Sequence, residues 1–325
     1  MFVLWYEENQ MKKIKCSSFI VAVLTILSVS LNSQAFHLGD HSMITRQALS
    51  EFQKCFPGEL DRDEPFFVIS SDLEEDLNIV RKDIFFSHYF NPQKNLPMAR
   101  QDSLARIDQL NRALKIDKNS ILLYIHLGHA IHHIQDMATP AHVIPVEHGP
   151  FDSFEQYDMK NKDISSGLSC QELAVQAIKV RDLQSLLVQA AQETLKSVTQ
   201  ISLMITATDS KGSQSYPIDG TAFWKSAPGD GFGSYGPMGK HYGETDINFV
   251  NGKVKTTADF YESFKHQRMQ MAVTNTLLAL YFFHKPTGTK KTAPAARMDL
   301  IFNFYSLPFG FSFEGLVRAF SLSGI

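Results

Sequence analysis

Only two tryptophans and three cysteines occur in the 325 residues. Cysteine this scarce excludes a small scaffold stapled by many disulfides. Stability must come instead from a hydrophobic core, and the chain is long enough to bury a large one. An excess of charge is missing too. Lys and Arg number 31 against 34 Asp and Glu, a formal net charge of -3. That excludes a general polyanion binder held by a basic surface. A nucleic-acid substrate is still allowed, because bound metal ions supply positive charge locally. With 44% hydrophobic and 20% charged residues the chain is neither disordered nor fibrous. No internal repeat is present.

The apolar run from Phe19 to Val29 is too short for a comfortable membrane span. Lys12, Lys13 and Lys15 precede it, and Ser33-Gln34-Ala35 follows. This is the pattern of a secretory signal peptide cleaved after Ala35, with residues 1–10 as a start-site extension before Met11. Residues 1–35 carry three lysines and two glutamates, so the mature charge is -4. The product is expected in the periplasm or outside the cell. Cys16 leaves with the signal. Cys55 and Cys170 remain, either as one disulfide or as two buried thiols.

The mature chain reads as helical throughout. Ile44, Ala48 and Leu49 recur at helical spacing over 41–52, and Leu104, Ile107, Leu110 and Leu114 do so over 98–116. A third helix starts at Asn119 or Ser120 and runs to about Met137, before Pro140. The spacing then predicts one long helix over 171–206 and another over 256–284. Residues 209–253, rich in Gly, Ser, Pro and aromatics, read as a long ordered loop. The expected fold is all-α: a compact multi-helix domain over 36–285 with a long irregular loop, then a linker and aromatic-rich tail over 286–325 that packs on the helices, touches a lipid surface or contacts another protein, packing being the reading preferred.

Histidine is concentrated. Six of the 12 histidines lie between His126 and His148. Gathering imidazoles and carboxylates in one run is characteristic of a metal site. His132 and Asp136, four apart on a helix, project from one face. His142 and His148 follow, and then Asp152 and Glu155 form a helix-start signature. The bland readings are a surface ion pair for His132 and Asp136 and a simple cap for Asp152. His126, His129 and His133 have no evident ligand role.

Upstream, "EEDLNIVRKDIFFSHYFNP" holds Asp76 and His88, and "FHLGDHSMIT" holds His41. Together with "HHIQDMATPAH" and "DSFEQYD", these ordered blocks resemble the superfamily of zinc-dependent phospholipases C and single-strand-specific zinc nucleases. The resemblance covers about residues 36 to 284 and is closest to bacterial secreted phospholipases C. It implies a three-zinc helical fold. One zinc would take Asp76, His88, His132 and Asp136. A second would share Asp136 and take His41 with the backbone amino and carbonyl groups of Phe36, exposed by signal cleavage. A third would take His142, His148 and either Glu155 or Asp152. The "SFEQY" context favours Glu155, and a four-residue spacing from His148 favours Asp152. Asp72, Glu74 and Glu75 compete with Asp76, which the resemblance also casts as general base. The family usually begins its mature chain with Trp, not Phe.

The implied activity is phosphodiester hydrolysis by zinc-activated water: a phospholipase C that releases diacylglycerol and a phosphorylated headgroup, with phospholipid at a membrane surface as its partner. Phe85 matches a headgroup-facing aromatic, whereas Leu77 and Gly39 do not match other headgroup positions. The alternative is a single-strand-specific nuclease or 3'-nucleotidase, with Phe223, Trp224, Tyr235 or Tyr242 as stacking plates. A third reading is a non-catalytic zinc-binding secreted protein. A monomer without a stable nucleic-acid partner is expected.

Overall fold

The computed structural model describes residues 38–60, 65, 68–69, 88–94, 107–108, 110–112, 122–146, 152–161, 163–250 and 252–284. Phe36, Asp76, Phe85 and His148, the signal segment and the tail lie outside them.

Helix α1 (Leu38–Cys55) carries Asp40 in its first turn and Lys54 in its last, which complements the helix dipole. Its inner face aligns His41, Thr45, Ala48 and Phe52, all fully buried. Helix α2 (Leu122–Asp136) is central, with every residue from Leu127 to its end buried. A helix apolar on most sides belongs inside a core. Thr139 and Pro140 start the single turn α3 (Pro140–Val143), where proline at the first position loses no needed N–H. Another single turn, α4 (Ser153–Gln156), begins where the Asp152 carboxylate accepts from the Glu155 N–H.

The long helix expected over 171–206 is two helices. Helix α5 (Cys170–Lys179) and helix α6 (Leu183–Thr199) each begin with a capping box, Ser169 with Glu172 and Asp182 with Ser185. Extended backbone at Val180 and Asp182 breaks the run between them, and the Asp182 cap starts the second helix. Helix α7 (Ala258–His284) packs against α1, α2, α5 and α6 and unites the helical layer.

The all-α expectation is overturned. The chain is mixed α/β, with six strands in two antiparallel sheets among the described residues. Strands β1 (Ser202–Asp209), β2 (Gly212–Asp219), β5 (Asp246–Phe249) and β6 (Gly252–Lys255) form a sheet in the order β2-β1-β6-β5. Strands β3 (Trp224–Lys225) and β4 (Ser234–Tyr235) form a small second one. The 209–253 region, expected as one long loop, therefore holds parts of all six strands, with irregular segments between them. Ile205, Ile247 and Val254 turn inward, while Met204, Thr206 and Thr208 turn out, the two-residue alternation of a half-buried strand. β2 is exposed along nearly its whole length. Its Pro217 is tolerated because β2 lies at the edge of the sheet.

Cys55 and Cys170 form a disulfide with a Cα–Cα distance of 5.3 Å, joining the end of α1 to the start of α5. Phe223, Trp224 and Tyr242 are at most 3% exposed within the core. Packed that way they are not available as stacking plates. Among the described residues no helix is long and apolar enough to cross a membrane.

Candidate metal centre

Asp136 sits at the last position of α2 and is fully buried. Three imidazoles from three separate segments converge on it. His41 Nε2 lies 3.4 Å from Oδ1. His88 Nδ1 lies 2.7 Å from Oδ2, and His132 Nε2 lies 3.4 Å from the same oxygen. His132 Nε2 and His88 Nδ1 are 3.1 Å apart. These atoms outline a triangle, and the His41 ring stacks on that of His132 at a centroid distance of 4.2 Å.

Two overlapping groups thus place their ligand atoms within 4.8 Å of one another: His41, His132 and Asp136, and His88, His133 and Asp136. Each can hold a metal ion. Zinc bound to nitrogen at about 2.0–2.1 Å sets its ligand atoms roughly 3.3 Å apart in a tetrahedron. The 3.4 Å distances from Asp136 to His41 and to His132 fit that dimension. Oδ1 of Asp136 is buried and accepts no well-formed hydrogen bond from the protein. A cation would satisfy it.

The "SHYFNP" block and α3 clamp each other. Phe90 N–H donates to the His142 carbonyl at 3.0 Å, and His142 Nδ1 lies 2.6 Å from the His88 carbonyl. A carbonyl only accepts, so Nδ1 carries the proton. In the neutral ring Nε2 then presents a lone pair, 3.2 Å from Oε1 of Glu155. Lone pair against carboxylate is unfavourable unless a cation or a proton lies between. Asp152 is otherwise engaged: one oxygen caps α4 and the other accepts from the Tyr235 hydroxyl. Glu155 is therefore the carboxylate brought to His142.

The remaining sequence candidates divide cleanly. His41, His88, His132 and Asp136 come together around one carboxylate. His133, given no ligand role from sequence, joins His88 and Asp136. Its three-residue spacing from Asp136 was the available signal. Gln135, which no motif in the sequence marks, is fully buried with its amide oxygen 2.6 Å from His41 Nδ1.

Buried Lys265 ties two parts of the centre together. Its Nζ is 2.9 Å from Asp40, next to His41, and donates to the Glu155 and Tyr157 carbonyls at 2.8 Å each. Over the other side, Tyr89 stacks on His142, and Phe232 meets Tyr89 edge-on. The segment carrying Phe232 is pinned where Gly233 N–H donates to Pro145 O at 2.6 Å. A Cβ on Gly233 would come 2.1 Å from the Lys225 carbonyl, so only glycine fits. His88 is 20% exposed at its side chain, while His41, His132 and Asp136 are at 0%, so the cluster is approached past His88.

Burial holds His132 well below the ordinary histidine range; Asp136 opposes this, and His41, His88 and His133 reinforce it. Burial would raise Asp136, but His132, His88 and His142 outweigh it and hold that carboxyl well below its ordinary range. The pair is thus a neutral imidazole and a carboxylate, the forms a metal needs.

Unfolded His132 takes a proton near pH ~6.5 and folded His132 does not. Its contribution is complete above that pH and falls away below it. The Asp136 contribution is present above pH ~3.9 and is lost as pH falls toward its depressed native value. Metal-free protein should therefore lose stability steadily from pH 7 to 5, and His132→Gln should flatten that slope. Urea midpoints across this range test it. Identical slopes for the two proteins would rule out a neutral buried His132.

No protein-family model, no curated protein and no solved structure matches this chain.

Proposed function

We propose that the protein is a secreted zinc-dependent phosphodiesterase, with phospholipid hydrolysis of the phospholipase C type as its reaction. One observation carries this reading. A buried carboxylate has each oxygen within 3.4 Å of imidazole nitrogens from distant segments, and one of those imidazoles is open to solvent. A structural zinc site is normally closed by four protein ligands, whereas catalysis needs an open position. The nitrogen and oxygen donors suit zinc. We assign His41, His132 and Asp136 to one ion and His88, His133 and Asp136 to a neighbouring one, with Asp136 shared. His142 and Glu155 belong to a third, for which His148 is the further ligand.

Zinc held here would lower the pKa of a bound water toward neutrality and stabilise the charge that develops on a phosphate oxygen. The chain's own groups prepare for that. Asp136 contributes negative charge and, being shared, fixes the spacing of the two groups. The carbonyl of His88 keeps the proton of His142 on Nδ1 and its lone pair on Nε2. Phe232, only partly buried, meets buried Tyr89 edge-on beside His142 and presents an apolar edge suited to the non-polar part of a lipid. We keep Asp76 as the general base, Phe85 as the headgroup contact and Phe36 as a backbone ligand. The Cys55–Cys170 disulfide supports export to an oxidising compartment.

The test is hydrolysis of phosphatidylcholine vesicles, phosphatidylglycerol vesicles and single-stranded DNA by the same preparation. Each assay is run after chelation and again after zinc is restored. Zinc-restored release of phosphorylated headgroup and diacylglycerol is expected. Release of nucleotides alone would move the assignment to a nuclease. Fewer than two zinc ions per chain would remove the catalytic reading.

A further inference from the structure

A chain of proton positions runs from helix α7 to the ring of His41. Thr276 Oγ1 donates to the carbonyl of Ala272, one turn back, at 2.8 Å. Its single hydroxyl proton is thereby committed, and its oxygen is left as an acceptor. Gln135 Nε2 lies 3.2 Å from that oxygen and 2.7 Å from Thr45 Oγ1. The amide nitrogen must face the threonines, so the amide oxygen must face away from them. There it lies 2.6 Å from His41 Nδ1. An amide oxygen only accepts, so His41 Nδ1 carries its proton. In the neutral ring this leaves the lone pair on Nε2, the atom 3.4 Å from Asp136 Oδ1. His41, Thr45, Gln135 and Thr276 are all fully buried, so water cannot readily substitute for a member of the series.

We propose that Gln135, oriented by Thr276, is a positioning residue that locks His41 in the tautomer able to bind metal through Nε2. The inference rests on the metal reading above but goes beyond it. It names the group that decides which nitrogen is available, and it spans three helices: α1 holds His41 and Thr45, α2 holds Gln135, and α7 holds Thr276. Turning the Gln135 amide over would set its oxygen against a threonine oxygen whose proton is already given. It would also place an N–H against His41 Nδ1. The lone pair would then have to sit on Nδ1, and Nε2–H would point at Asp136, where no cation could be taken.

Outer partners that fix a ligating histidine typically contribute 10–100-fold in metal affinity. Two measurements on the full chain decide the matter. The first is nitrogen NMR of His41 in metal-free protein at neutral pH, assigned by comparison with His41→Gln. A protonated Nδ1 and an unprotonated Nε2 are expected; a protonated Nε2 in the wild type overturns the proposal. The second is zinc titration of Thr276→Val, Thr276→Ser and Gln135→Leu. Thr276→Val and Gln135→Leu should bind one ion about 10–100-fold more weakly, and Thr276→Ser, which keeps the hydroxyl, should match the wild type. Wild-type affinity in both Thr276→Val and Gln135→Leu overturns the proposal. Should either variant fail to fold, the wild-type tautomer still decides. A wild type that takes no zinc would sink the metal reading alone, since the tautomer is read without metal.

Discussion

Asp136→Asn should strip the centre of its metal. The substitution keeps the shape of the side chain and removes a carboxylate to which His41, His88 and His132 all turn. Loss of a partner that only orients a ligand costs about 10–100-fold in affinity. Loss of a shared ligand should exceed that, with more than about 100-fold weaker binding for the two ions that use Asp136. Zinc should also stop protecting the fold. An ion at 100 times its Kd stabilises the wild type by about 2.7 kcal/mol, and this increment should vanish in the variant. Thermal unfolding with and without zinc, beside elemental analysis of dialysed protein, measures both effects. A variant that retains two ions per chain would show that the shared carboxylate is not a ligand.

Opening the disulfide should have the largest effect on the fold itself. Cys55 and Cys170 are separated by 115 residues and pin the end of α1 to the start of α5. Closing so long a loop restricts the unfolded chain, and removing a native link of this kind costs about 2–5 kcal/mol. For a domain of this size each kcal/mol moves the melting temperature by about 2–4 °C. The double variant Cys55→Ser, Cys170→Ser should therefore melt roughly 10 °C lower. Reductant should bring the wild type to the same point and leave the variant unchanged. Equal melting temperatures in oxidant and reductant would show that the link contributes nothing. His41 lies on the same helix as Cys55, so zinc should partly offset the loss by binding only folded chain.

Helices with a clear apolar stripe are legible directly from the chain. Ile44, Ala48 and Phe52 in α1 and the run before His284 in α7 bury the faces their spacing indicates. The sheet was hidden for a physical reason. Leu187, Ala191, Leu195 and Val198 carry a helical rhythm to the end of α6, and β1 starts three residues later with Leu203 and Ile205. Apolar runs this short do not separate the two periods. β2 has almost no inward face to announce it, since only Ile218 is partly covered. Its pairing with β1 depends on a partner strand and not on local preference.

The metal centre divides along the same line. Spacing within one helix placed His132 beside Asp136, because four residues make about one turn. The crowding of histidines indicated metal chemistry, and the scarcity of excess charge excluded a basic polyanion binder. Nothing local brings His41 or His88 to that helix. Packing of α1 and of the "SHYFNP" segment against α2 does so, across 95 and 48 residues from Asp136. Nor could local pattern choose Glu155 over Asp152 as the carboxylate facing His142. That choice depends on the hydroxyl of Tyr235, 83 residues beyond, which occupies Asp152 and leaves Glu155 toward the imidazole. Residue types carry the chemistry along the chain; which atoms meet is set by contacts between distant segments, and those form only when the core closes.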